Sequence, residues 1–289
     1  MTEHRVTLSD GASLYVKLYG EISSTKPLLI AHHGAPGLSS HREPEGSFGF
    51  LRSKFRVLVY DARGSGISDL KGPYTHERWI ADIEELRKWA GAEKFVLAGG
   101  SYGGFISLDY ALVHQGRLLG LVLRDTWTWG TRGMMQALKA CLVSKRVKVD
   151  PERQFRMWTG ILRDDEDFAE GVAEMTALFA PNSPNIDPHA EQENTPRRGN
   201  IHAATQNFAF SRNMPRFDVR SRLWEVEVPT LVVVGRHDLI APLSFSEEIA
   251  QGIPKAKLVI FERSGHNPAH DEPEAFQAHI SDFVSTLPS

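Results

Sequence analysis

The segment 97–105, LAGGSYGGF, places one serine and one tyrosine among four glycines, directly after the apolar run 95–98. A serine on a tight turn between a strand and a helix has an unfavourable backbone conformation, and its neighbours must lack bulk for the turn to close. The glycines of this G-x-S-x-G pattern permit such a turn. We therefore expect Ser101 to project its Oγ above the edge of a sheet, with the Tyr102 backbone N–H beside it.

The rest of the chain predicts a sheet that could carry this turn. Short apolar runs recur along it, at 28–32, 57–60, 95–98, 118–123, 230–234 and 258–261. Continuous apolar strands of this length suit a sheet that is covered on both faces. Apolar residues at helical spacing lie between or beyond these runs, at 75–90, 105–113, 245–253 and 274–287. The alternation predicts an α/β fold with a mostly parallel central sheet and helices on both faces.

One region breaks this alternation. Residues 127–222 combine aromatic side chains with a charge-rich stretch at 163–167 and a Pro/Asn-rich segment at 180–188. We interpret this region as a mainly helical cap inserted after the sixth core strand, which divides the core into residues 1–126 and 223–289. A cap above Ser101 would shape the substrate pocket and exclude water from it.

A serine hydroxyl is a weak nucleophile alone, so it needs a base, and the base needs an acid that orients it. Asp238 follows the strand at 230–234, and His266 follows the strand at 258–261. Both therefore belong to the sheet edge at which α/β folds collect catalytic groups. Asp125 follows the strand at 118–123 and is a rival for the acid. We favour Asp238 because strand, glycine and acid come in the expected order.

The segment 32–37, HHGAPG, follows the first buried strand and is the candidate for a second oxyanion donor. Together with 61–68, DARGSGIS, and 99–104, GGSYGG, it resembles the H-G-G-P-G, D-x-R-G-x-G-x-S and G-G-S-W/Y-G-G motifs of the prolyl iminopeptidase group. That group belongs to the α/β-hydrolase superfamily. The resemblance covers about 25–125 and 206–289 and is weak across the middle of the predicted cap.

The resemblance implies a Ser-His-Asp triad of Ser101, His266 and Asp238, with the Ala35 and Tyr102 amides as oxyanion hole and Gly34 beside the substrate. It implies a serine hydrolase that works without cofactor or metal and releases N-terminal proline, or another small residue, from short peptides. The group binds the free amine with cap glutamates. The candidates for that role in this sequence are Glu170, Glu174, Glu191 and Glu193.

Two other functions stay open from the residues. An esterase or lactonase acting on a small apolar molecule, such as a secondary metabolite, would use the same triad. Its pocket would be lined by aromatic residues of the predicted cap, for which the candidates are Trp127, Trp129, Phe155, Trp158, Phe179 and Phe208. A ligand-binding receptor on the same fold could also retain the triad. A buried glutamate pair in the cap would favour the peptidase. An entirely apolar cap pocket would favour the esterase or lactonase, and a conformational change on ligand binding without turnover would favour the receptor.

Composition narrows the class of partner. The net charge is −3 with no basic stripe, so we expect no nucleic acid. No stretch approaches 18 apolar residues, the N-terminal segment lacks the apolar core of a signal peptide, and one cysteine permits no intrachain disulfide. We therefore expect a cytoplasmic protein away from membranes, whose partner is a small molecule or a short peptide.

Overall fold

The computed structural model of the chain describes residues 1–179 and 200–288. Its sheet has eight strands, in the order β1-β2-β4-β3-β5-β6-β7-β8. The strands are β1 Thr2–Thr7, β2 Ser13–Tyr19, β3 Leu28–His32, β4 Arg56–Tyr60, β5 Phe95–Gly100, β6 Leu118–Arg124, β7 Thr230–Gly235 and β8 Ala256–Phe261. Strands β1 and β2 form an antiparallel pair, β2 also runs antiparallel to β4, and every other pairing is parallel. The predicted fold class is confirmed.

The strand sequences explain their places in the sheet. Strands β3, β4, β5 and β7 are buried at every position, as expected for apolar runs covered on both faces. Strand β2 instead alternates between buried and half-buried positions, which fits its place next to the edge.

Ten α-helices lie within the described residues. They are α1 Arg42–Phe48, α2 His76–Trp89, α3 Tyr102–His114, α4 Gly130–Val143, α5 Pro151–Thr159, α6 Asp165–Met175, α7 Ala203–Phe208, α8 Leu243–Gly252, α9 Pro268–Asp271 and α10 Pro273–Ser285. Apolar residues of α2, α3 and α8 belong to one buried cluster, whereas those of α1 and α10 belong to another. The two clusters therefore cover the sheet from opposite faces.

Helices α4 to α7 lie between β6 and β7 in the chain; we call residues 127–179 and 200–222 the helical insertion. Its apolar side chains, such as Phe168 and Phe210, join the same buried cluster as Phe105 of α3. The charge-rich stretch has a local role, because Asp164 caps α6 by accepting from the Asp167 N–H (2.8 Å) and Asp167 pairs with Arg156.

None of the helices described in residues 1–179 and 200–288 combines the length and apolar character that crossing a bilayer demands.

Candidate active site

Ser101 forms the turn between β5 and α3. Its backbone has φ 51° and ψ −119°, a positive φ that few residues other than glycine adopt. The turn is tied to the end of β6, because the Ser101 N–H donates to the Arg124 carbonyl (2.8 Å) and Thr126 Oγ1 donates to the Ser101 carbonyl (2.9 Å). A strained conformation that neighbouring hydrogen bonds maintain is typical of a functional residue.

The glycines around Ser101 allow three segments to pack closely against the turn. A Cβ at Gly103 would lie 2.6 Å from the carbonyl oxygens of His32 and His33, at the end of β3. A Cβ at Gly100 would collide with the Arg124 guanidinium, and one at Gly104 with Thr126. Glycine is therefore required at these positions for two reasons: the turn itself needs it, and neighbouring segments pack too close to leave room for a Cβ.

Asp238 and His266, which follow β7 and β8, are hydrogen-bonded to each other. His266 Nδ1 donates to Asp238 Oδ2 (2.7 Å), and both residues are buried. The Ile240 and Ala241 N–H groups donate to Asp238 Oδ1 (2.8 and 2.9 Å), so the carboxylate is fixed on both oxygens. With Nδ1 protonated, His266 Nε2 is left free to accept a proton.

The charge on Asp238 governs the protonation of His266. Burial alone would lower the pKa of His266, but the adjacent Asp238 carboxylate outweighs it and raises the pKa above its ordinary value. The imidazolium is therefore stabilised where it would form during proton transfer from a serine.

Asp125, the rival acid, has a different environment. It is fully buried, its Oδ1 accepts from the Gly235 N–H (3.1 Å), and its Oδ2 accepts from Arg124 Nη1 (3.3 Å). Burial, reinforced by the nearby charge of Asp238, raises its pKa well above the ordinary range. Within the described residues it makes no hydrogen bond to His266, whose Nδ1 is taken by Asp238.

The loop after β3 packs directly against Ser101. A Cβ at Gly34 would lie 3.4 Å from the Ser101 Cβ, and the Gly34 N–H donates to Glu43 Oε2 (3.2 Å). Gly34 therefore supports the turn without lining the cavity described below, and its N–H is already used. Ala35 and Tyr102, whose amides are the expected oxyanion donors, both line that cavity.

A cavity of about 60 Å³ brings Ser101 and His266 together with the helical insertion. Of the aromatic residues suggested for an esterase pocket, Trp127, Trp158 and Phe179 line the cavity, whereas Trp129, Phe155 and Phe208 do not. The other apolar residues around it are Leu38, Phe105, Met157, Phe168, Val172, Met175, Phe210 and Ile240. Gln206 of α7 also lines it, and no sequence signal singled out this residue. The backbone N–H of His266 donates to the Phe179 carbonyl (2.7 Å), which connects the loop that carries this histidine to the insertion.

The candidate amine-binding glutamates lie elsewhere. Glu170 and Glu174 both pair with Arg153, and Glu174 also accepts from Gln154 Nε2 (2.9 Å). Neither lines the cavity, since α6 turns this acidic face toward α5. Glu191 and Glu193 fall outside the described residues. Among residues 1–179 and 200–288, no acidic side chain lines the cavity.

Tyr102 also has a side-chain role that the sequence did not indicate. Its hydroxyl hydrogen-bonds His76 Nε2 (2.9 Å) and accepts from Asn213 Nδ2 of the insertion (3.3 Å). His76 Nδ1 donates in turn to Asp109 Oδ2 (2.6 Å). This chain of hydrogen bonds connects α2, α3 and the helical insertion through the residue that follows Ser101.

Residues 27–273 match the family defined by the alpha/beta hydrolase fold. The chain belongs to the α/β-hydrolase family. It is 31% identical to a protein named proline iminopeptidase PfmaB from Pestalotiopsis fici, over 89% of this chain and 91% of that protein. The solved structure of a hydrolase from Pseudomonas aeruginosa covers 98% of each chain, at 28% identity and a TM-score of 0.75. A thermophilic esterase from Thermogutta terrifontis covers 99% of this chain and 98% of its own, at 26% identity and a TM-score of 0.71. The resemblance to the prolyl iminopeptidase group is thus confirmed.

Proposed function

We propose that this α/β-hydrolase is a serine hydrolase of small, neutral carboxylic esters or lactones with a mainly apolar acyl group. One observation carries the choice of substrate class: the cavity next to Ser101 and His266 is lined by apolar side chains and one amide, with no acid among the described residues. The helical insertion acts in this proposal as the cap that shapes the pocket.

The proposed reaction uses the groups at the sheet edge. His266 Nε2 takes the Ser101 proton as Oγ attacks the substrate carbonyl, and Asp238 stabilises the resulting imidazolium. The Ala35 and Tyr102 N–H groups hold the oxyanion of the tetrahedral intermediate. The imidazolium then gives its proton to the departing alkoxide, and a water molecule activated by His266 releases the acid from Ser101.

An ester fits the described lining better than an N-terminal amine does. A protonated amine buried among aromatic and aliphatic side chains loses its hydration, and this cost is recovered only if a carboxylate or similar group pairs with it. Glu170 and Glu174 are occupied by Arg153. An uncharged acyl group needs no such partner.

A second candidate is an aminopeptidase that releases N-terminal proline, because the chain is 31% identical to a protein named proline iminopeptidase. Its amine site would need acids that reach the cavity from outside the described residues. Glu191 and Glu193 are the candidates for that role.

The two candidates are separated by assaying wild type and Ser101→Ala on p-nitrophenyl butyrate and proline β-naphthylamide side by side. We expect Ser101-dependent hydrolysis of the ester and a kcat/KM for the amide that is at least 100-fold lower. Faster cleavage of the amide would establish the aminopeptidase instead. Saturable binding of both compounds without turnover by the wild type would contradict both enzymes and favour a receptor.

A further inference from the structure

Gln206 carries the one side-chain amide among the described residues that line the pocket. The residue is 3% exposed and lines the cavity beside Ser101 and His266. Its Oε1 is buried and has no hydrogen-bond partner among the described residues. A buried amide without a partner costs stability, and a leucine or methionine would fill the same space without that cost.

The helix that carries Gln206 is fixed on several sides. At its start, the Ala203 N–H donates to Asp165 Oδ1 (2.7 Å), and the preceding His202 N–H donates to the Gly37 carbonyl (2.7 Å). Next to Gln206, the Asn207 side chain accepts from the Leu162 N–H and donates to the Leu162 carbonyl (both 2.8 Å). The backbone that carries Gln206 is therefore held at a fixed position beside the cavity.

Gln154 shows what distinguishes this position. Its Oε1 is also buried without a partner, but its Nε2 donates to the Gly171 carbonyl (2.8 Å) and to Glu174 (2.9 Å). That amide joins α5 to α6 and does not line the cavity. Gln206 has its unpartnered atom on a residue that faces the ligand space.

We propose that Gln206 is a specificity-determining residue, whose amide hydrogen-bonds a hydroxyl group on the acyl part of the substrate. A hydroxyl is neutral, which suits a described lining without carboxylates, lysines or arginines, and it can donate to Oε1. The substrate is accordingly an ester or lactone of a hydroxylated, otherwise apolar carboxylic acid. This inference rests on the proposed function, since it names the substrate class of the same site.

The test compares wild type with Gln206→Met on three p-nitrophenyl esters: butyrate, 2-hydroxybutyrate and 3-hydroxybutyrate. Preference is the kcat/KM of a hydroxylated ester divided by that of butyrate. Because intrinsic ester reactivity is the same for both enzymes, it cancels when their preferences are compared. We expect the wild-type preference for at least one hydroxylated ester to exceed that of Gln206→Met by about tenfold, the value of one neutral hydrogen bond.

Gln206→Met should have a Tm that is unchanged or higher, because the buried Oε1 without a partner is gone. Gln206→Ala, which removes the amide without adding bulk, replaces it if the methionine variant does not fold. Equal preferences in wild type and variant would overturn the inference alone. Failure of the wild type to hydrolyse any of the three esters would contradict the proposed function, and the inference with it.

Discussion

The sheet edge and the helical insertion meet at one cavity, but the polar groups that they bring to it differ in how fully they are hydrogen-bonded. At the sheet edge, both oxygens of Asp238 accept hydrogen bonds and His266 Nδ1 donates to one of them. In the insertion, Gln206 Oε1 and Trp127 Nε1, both on residues that line the cavity, are buried without hydrogen-bond partners among the described residues. The Asp238–His266 pair is therefore held by hydrogen bonds within the protein, whereas the insertion brings unused hydrogen-bonding groups to the cavity wall.

The largest expected effect is a difference in activity between variants of the two buried acids at the sheet edge, Asp238 and Asp125. Asp238→Asn should lower kcat/KM for p-nitrophenyl butyrate by about 10³- to 10⁴-fold, because the histidine loses its charged partner. Asp125→Asn is the matched control and should stay within tenfold, since Asp125 bonds to Gly235 and Arg124 and makes no hydrogen bond to His266 among the described residues. A larger loss in Asp125→Asn than in Asp238→Asn would reverse the assignment of the acid.

The pH dependence sharpens the same point. His266 must be neutral to accept the serine proton, so kcat/KM should fall as the pH drops through the His266 pKa. Asp238 raises that pKa above 6.5 despite burial, so the midpoint of the acid limb should lie above 6.5. In Asp238→Asn the midpoint should move lower, because burial then acts without the opposing charge. An acid limb at the same pH in both proteins would show that His266 is not the titrating base.

Tyr102 connects the two regions, so its hydroxyl should contribute to stability. Tyr102→Phe removes the group that bonds His76 and Asn213 and should lower the free energy of unfolding by about 1–2 kcal/mol, measured with urea. Tyr60→Phe is the matched control, because the buried Tyr60 hydroxyl has no partner among the described residues. It should change stability by less than about 0.5 kcal/mol or raise it. Equal losses of unfolding free energy in both variants would mean that the hydrogen bonds of the Tyr102 hydroxyl contribute nothing to stability.

The smallest effect is expected in the acidic face of the insertion. Glu174→Gln should leave kcat/KM for the ester within about threefold, because Glu174 pairs with Arg153 away from the cavity. The same variant is assayed on proline β-naphthylamide. A selective loss of amide cleavage by tenfold or more would identify Glu174 as an amine-binding residue and break the contrast between the two regions.

The sequence predicts the sheet well because its signals are local. Apolar runs mark β3 to β8, and the glycines around Ser101 predict the turn because only small residues allow the close approach of neighbouring segments. The order of Ser101, Asp238 and His266 follows from strand order in the same way. Strand β6, in contrast, extends to Arg124, a polar residue that is buried because it pairs with Glu43 and Asp125.

The lining of the cavity could not be predicted to the same degree, because it depends on which helix faces meet. Glu170 and Glu174 were candidates only because they are acidic residues of the predicted cap. The packing of α5 against α6 places both in ion pairs with Arg153. Gln206 stands in the unremarkable segment 203–208, AATQNF, and gains its place only when α7 is fixed above Ser101. The same holds for the contact of His76 with Tyr102, which joins residues 26 positions apart.

The most direct measurement is fluorophosphonate labelling followed by intact-mass analysis of wild type, Ser101→Ala and Ser211→Ala. A serine activated by His266 should take up one adduct in wild type and in Ser211→Ala, whose changed serine is an exposed residue of the insertion, and none in Ser101→Ala. Peptide mapping should assign the adduct to Ser101. An unlabelled wild type, or an adduct that persists in Ser101→Ala, would contradict the assignment of the nucleophile on which the proposed reaction depends.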